Sequence, residues 1–116
     1  TAVGYDALSG NTTGSESVAV GYQALGRSET GDNNTAVGWQ ALNASLTGSN
    51  NTAMGRAALV ALDSGDNNTA IGFNALTSMD GMSGITAIGA NALQNNLLGG
   101  GQNTAVGYNS LFSTTI

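Results

Sequence analysis

Seven glycines stand at nearly equal intervals along this chain: Gly4, Gly21, Gly38, Gly55, Gly72, Gly89 and Gly107. The first five intervals are 17 residues and the last is 18. A fixed period of that length marks a stacked repeat, in which each unit buries its apolar face against its neighbours. Aligned on the glycine, the unit reads Thr-Ala-Val-Gly-aromatic-polar-Ala-Leu, followed by a polar loop. Its copies begin TAVGYDAL at Thr1, VAVGYQAL at Val18, TAVGWQAL at Thr35, TAMGRAAL at Thr52, TAIGFNAL at Thr69, TAIGANAL at Thr86 and TAVGYNSL at Thr104.

The loop carries its own marks. A second glycine follows ten residues after the first at Gly14, Gly31, Gly48, Gly65 and Gly99, with Met82 interrupting the series. These glycines are expected to supply positive φ at a tight corner. Asn33, Asn50 and Asn67, each beside a second asparagine, mark the other corner, since asparagine tolerates left-handed backbone. Runs such as Ala57-Ala58-Leu59-Val60-Ala61-Leu62 favour helix, but the glycines and asparagine pairs leave no clean stretch of about 10–12 residues for one. The pattern therefore predicts an all-β chain: a parallel β-solenoid or β-roll with coils of about 17 residues. Residues 1–116 then form a single repeat domain of about seven coils. At ~4.8 Å per coil, such a stack is ~34 Å tall. The chain opens inside a repeat and stops soon after one, which suggests a piece of a longer fibre.

Two large apolar positions recur in every unit and are expected to point into the coil. One is Val3, Val20, Val37, Met54, Ile71, Ile88 and Val106; the other is Leu8, Leu25, Leu42, Leu59, Leu76, Leu93 and Leu111. Two alanine columns accompany them, from Ala2 to Ala105 and from Ala7 to Ala92. Small residues in register permit close approach of backbones. One of these columns is expected at a subunit interface; the alternative is that alanine fits a narrow coil interior. So thin a core argues that the rod covers a second face with further copies of itself.

Composition narrows the function classes. Seven acids against two bases, Arg27 and Arg56, give a net charge of −5, which cannot neutralise a phosphate backbone; no nucleic-acid partner is expected. Charged residues make up 8%, too few for an ordinary disordered tail. Cysteine and histidine are absent, which removes thiol and imidazole catalysis and soft metal sites. No apolar run is long enough to insert into a membrane. The acids Asp6, Glu16, Glu29, Asp32, Asp63, Asp66 and Asp80 lie mostly in loops. Asp32 and Asp66 share a coil position two coils apart, ~10 Å, too far to hold one calcium ion between them. Gly99-Gly100-Gly101 lacks the lysine of a phosphate loop and reads as a bulge that takes up the extra residue. No catalytic residue, cofactor site or metal site is expected, and the chain does not read as an enzyme.

Ser17-Val18-Ala19-Val20-Gly21 resembles the Asn-Ser-Val-Ala-Ile-Gly repeat of trimeric autotransporter adhesin heads. Asn34-Thr35-Ala36-Val37-Gly38, Asn68-Thr69-Ala70-Ile71-Gly72 and Asn103-Thr104-Ala105-Val106-Gly107 are close variants. The longer form, Asn-Thr-Ala-Val-Gly-Tyr-x-Ala-Leu, also resembles repeats of phage tail-fibre and bacterial fibre proteins. The resemblance implies a left-handed roll wound as a homotrimer, an extracellular place on a cell or virion surface, and adhesion to a host-surface glycan or protein. The coil here is longer than in the adhesin heads, and its leucine is more regular.

Three columns are candidate contact surfaces. Tyr5, Tyr22, Trp39, Phe73 and Tyr108 follow the ruler glycine, with Arg56 and Ala90 in the same column. Such a column could stack on sugar rings or meet a partner, or could simply stack between coils. Arg56 between Trp39 and Phe73 invites a cation–π contact. Thr1, Thr35, Thr52, Thr69, Thr86 and Thr104 form a threonine column of the kind seen on ice-binding solenoids, without the usual second one. Asn34, Asn51, Asn68 and Asn103 are expected to stack with their neighbours as amide ladders. Asn33, Asn50 and Asn67 each also head a glycosylation sequon.

Overall fold

The structure is a computed structural model that describes residues 1–78, 81–95 and 100–113. Met79, Asp80 and Gly99 lie outside them. Among the described residues seven short strands occur at the predicted period: β1 (Ala2–Val3), β2 (Val18–Val20), β3 (Thr35–Val37), β4 (Thr52–Met54), β5 (Thr69–Ile71), β6 (Thr86–Ile88) and β7 (Thr104–Val106). They form one sheet in sequential order, every pair parallel. Ala19 pairs with Ala36, Ala36 with Ala53 and Ala53 with Ala70. The longer sixth interval does not disturb this register, for Ile88 still pairs with Val106. A parallel neighbour reached through a short loop, coil after coil, is a β-solenoid. Its extents are 37 × 21 × 15 Å, in keeping with the height predicted from the coil count.

Side chains of a strand alternate between its two faces. In Thr-Ala-Val the alanine therefore takes one face, and threonine and valine share the other. Ala19, Ala36, Ala53, Ala70 and Ala87 are completely buried, as are Ala24, Ala41, Ala58, Ala75 and Ala92. Leu25, Leu42, Leu59 and Leu93 lie beside them with no exposed surface, and Leu76 with almost none. Leu8 is half-buried and Leu111 exposed, each in a terminal coil.

Two expectations are corrected here. Val3, Val20, Val37, Met54, Ile71, Ile88 and Val106 do not enter the coil: Met54 is 43% exposed and Val106 65%, while Val20, Val37 and Ile71 are half-buried. The alanine columns do not lie at a subunit interface either, since both are consumed inside the chain's own coil. The physical reason is alternation: the strand turns its alanine inward, so the residue after it faces out with the threonine. The interior is filled by the leucine and two alanines of each coil, with Leu62 and Ile85 added where they occur.

The wall opposite the sheet is made of turns. After the ruler glycine the backbone alternates into the left-handed region, at Gln23 (φ 51) and Leu25 (φ 50) in the second coil and at the equivalent residues of every other coil. Leucine rarely accepts this conformation. It is held here by burial and by hydrogen bonds between coils: the Leu25 N–H donates to the Ala41 carbonyl at 3.0 Å, and that of Leu42 to Ala58 at 2.9 Å.

The loop is tied together by side chains. Asn34, Asn51 and Asn68 are buried. The Asn34 Oδ1 accepts from the Asn51 backbone N–H at 2.9 Å, and the Asn51 Oδ1 from Asn68 at 2.9 Å. Their Nδ2 groups donate to the carbonyls of Gly48, Gly65 and Met82. These buried asparagines thus bond to backbone rather than amide to amide, and each satisfies main-chain groups in both directions. Asn33, Asn50 and Asn67 carry the expected left-handed φ of 57–60°. Gly14, Gly31 and Gly48 do not have positive φ. They are glycine because a Cβ would stand 2.1–2.5 Å from the carbonyl oxygen of the next coil's glycine. At the loop rim, Ser15, Asp32, Ser49, Asp66 and Ser83 form an alternating column. The Ser15 N–H donates to the Asp32 carboxylate at 2.7 Å, the Asp32 N–H to the Ser49 hydroxyl at 3.1 Å, and the pattern repeats through Asp66. The alternation keeps the two carboxylates two coils apart.

Candidate functional site: an exposed face of stacked columns

The outer face of the sheet carries two columns side by side. Threonine occupies the first in most coils and Val, Met or Ile the second, so the aliphatic column predicted for the core is the apolar stripe of the surface. Sequence reasoning weighted size and missed this. The signal was present in the period-2 alternation: whichever way the threonine points, the residue two positions on points with it.

A third column follows where the chain turns off the sheet. Tyr5 and Tyr22 stack with ring centroids 5.4 Å apart and planes within 8°, and Tyr22 and Trp39 at 6.1 Å and 9°. The Arg56 guanidinium lies over both neighbouring rings, its Cζ 4.8 Å from the Trp39 centroid and 5.6 Å from that of Phe73. Between Tyr5 and Phe73 the column is therefore packed on itself: Tyr22 and Trp39 turn their edges to solvent, and the outward faces of Tyr5 and Phe73 at the two ends stay open. Beside it the Gln40 amide donates to Gln23 at 2.8 Å, and Asn91 to Asn109 at 2.9 Å.

The five aromatic residues singled out by sequence all lie in this column. The sheet register brings Tyr5, Tyr22, Trp39 and Phe73 into one continuous stack through Arg56, while Tyr108 stands apart beyond Ala90. Among the described residues no cavity opens and no three metal-binding side chains gather. The Asp32 carboxyl is held below its ordinary range by the Ser15 backbone and hydroxyl hydrogen bonds, which favour the ionised form. This is a structural bond within the loop. What the face offers chemically is repetitive apolar and aromatic contact over the length of a rod. No family model, no curated protein and no solved structure matches the chain.

Proposed function

We propose that this chain is a structural segment of a surface fibre: a rod that extends a tip and presents a face for attachment, wound from identical copies. The observation that carries the reading is the aliphatic column from Val3 to Val106. It runs the length of the sheet, and Val3, Met54, Ile88 and Val106 are exposed in a single chain. A continuous apolar stripe of this kind marks an association surface, and its periodicity suits a partner with the same coil spacing, a second copy. Threefold, left-handed winding and an extracellular place on a cell or virion are the form of this proposal that the resemblance to adhesin heads and tail fibres supports.

Sedimentation of the segment at micromolar concentration tests it. Oligomers are expected, and V37E together with I71E should disperse them to monomers with an unchanged circular dichroism spectrum. A wild-type monomer would sink the reading. Within it, the closed packing from Tyr5 to Phe73 favours a load-bearing shaft over a sugar-binding stripe in those coils. Ice binding is the alternative use of the threonine column. The neighbouring column of Val, Met and Ile stands against it, and no thermal hysteresis above buffer is expected.

A further inference from the structure

The aromatic column has one gap. Its sixth position is Ala90, half-buried, between Phe73 in the coil before and Tyr108 in the coil after. The register is fixed there by hydrogen bonds, the Asn91 N–H donating to Phe73 at 2.8 Å and the Asn109 N–H to Ala90 at 3.0 Å. Phe73 and Tyr108 thus stand two coil rises apart, ~10 Å, with only a methyl group between them. Tyr108, in the last coil, is 76% exposed and has no ring partner among the described residues, whereas Tyr5 in the first coil is 69% exposed with Tyr22 stacked on one face.

The same column contains the filled version of this arrangement. Trp39 and Phe73 are also two coils apart, and the guanidinium of Arg56 occupies the space between them. The spacing that accepts a planar cation at the fourth position recurs, vacant, at the sixth. We propose that this gap is a seat for a guanidinium group, that of an arginine on a partner protein. A flat cation can use both ring faces at once, which an ammonium does less well. No Asp or Glu lies among residues 81–116, so the two ring faces alone hold the cation. The Arg56 charge lies about two coil rises from the seat, near the Debye length at physiological salt, so its repulsion is largely screened. The inference stands apart from the fibre reading, because it needs only the coil register and the column.

The test is a proton NMR titration of the segment with N-acetyl-arginine methylamide, with the lysine and tyrosine derivatives in parallel at equal ionic strength. The expected result is a saturable shift of the Phe73 and Tyr108 ring resonances, little change at Tyr22, and arginine binding roughly threefold or more tighter than lysine. A90R supplies a guanidinium from the chain itself and should abolish the response. F73A removes one wall and should weaken binding severalfold, which keeps the test decisive should A90R misfold. Absence of saturable shifts overturns the seat. An undiminished response in folded A90R and in F73A overturns its location, and tyrosine binding as tightly as arginine overturns the assignment to a cation.

Discussion

At the scale of single residues, the coil is a compromise between backbone strain and stacking. Each turn places a leucine in the left-handed region, at φ values of 50–56°, a conformation that costs an L-residue roughly 1–2 kcal/mol. The position two before it is equally left-handed and is filled by Asp6, Gln23, Gln40, Ala57, Asn74, Asn91 and Asn109. Asparagine suits it best. Ala57 suits it least, and it also interrupts the column in which Gln40 bonds to Gln23 and Asn91 to Asn109. Ala57→Asn should therefore stabilise the chain by about 0.5–1 kcal/mol, read as a higher urea midpoint at an unchanged slope. The Asp32 carboxyl gives a second prediction. Its folded-state pKa lies below the ordinary 3.8, so its hydrogen bonds contribute fully above the unfolded value. That contribution falls away as pH drops through the depressed one. Below about pH 4 the wild type should lose stability more steeply than Asp32→Asn, which keeps an acceptor for Ser15 without a titrating group. Thermal melts of the two proteins across pH 2–6 check this.

At the scale of the strand, turn and loop, glycine and asparagine set what the coil can be. Gly38 has φ +135°, and a Cβ there would lie 2.6 Å from the Gly55 carbonyl oxygen and 2.7 Å from its carbon. Both obstacles are backbone, so neither can move aside. Gly38→Ala should cost about 3 kcal/mol or more, where most exposed substitutions cost little. Asn51 is the loop's counterpart. Asn51→Ala leaves the Asn68 N–H and the Gly65 carbonyl without partners and should cost about 2–4 kcal/mol, measured by chemical denaturation. This is the scale at which the sequence was most legible. The glycine ruler located all seven strands, because backbone contacts between coils repeat wherever the chain does. The buried leucines were legible as well, being large, apolar and invariant. The direction of the valine column was not. Hydrophobicity says that a residue prefers burial, and alternation says that the valine position shares a face with the threonine, but neither says which of the two faces is the inner one. In the second glycine column the expected positive φ holds at Gly65 (φ 146), while Gly14, Gly31 and Gly48 are glycine for close approach, which selects the same residue. Of the candidate site, the aromatic column and the Arg56 contact were visible as a list of side chains. The gap at Ala90 had no meaning until the register put Phe73 and Tyr108 on either side of it.

At the scale of the whole molecule, the solenoid is a one-dimensional stack in which each coil meets only its two neighbours. Its stability is then a sum of coil terms and interface terms rather than the property of one indivisible core. Register follows from this, since removing a whole coil preserves every pairing along the sheet, and a single extra residue is absorbed in a loop as it is in the sixth interval, whereas losing half a coil leaves no strand to pair. Removing residues 35–51 joins Asn34 to Thr52, brings Ala19 opposite Ala53, and leaves Asn34 bonded to the next asparagine in the column. The shortened protein should fold, with a long axis ~5 Å shorter and a melting temperature lower by only a few degrees. Removing residues 35–43 takes out about half as much chain but sets Thr47 where a ruler glycine must stand. It also sets Ala44-Ser45-Leu46 against the strand Val18–Val20, with a serine hydroxyl where the inward alanine stood. That variant should lose far more stability than the longer deletion. A globular core would give the opposite order, with damage growing with the number of residues removed. Circular dichroism melts and small-angle scattering of the two deletions, side by side, measure which rule the chain obeys.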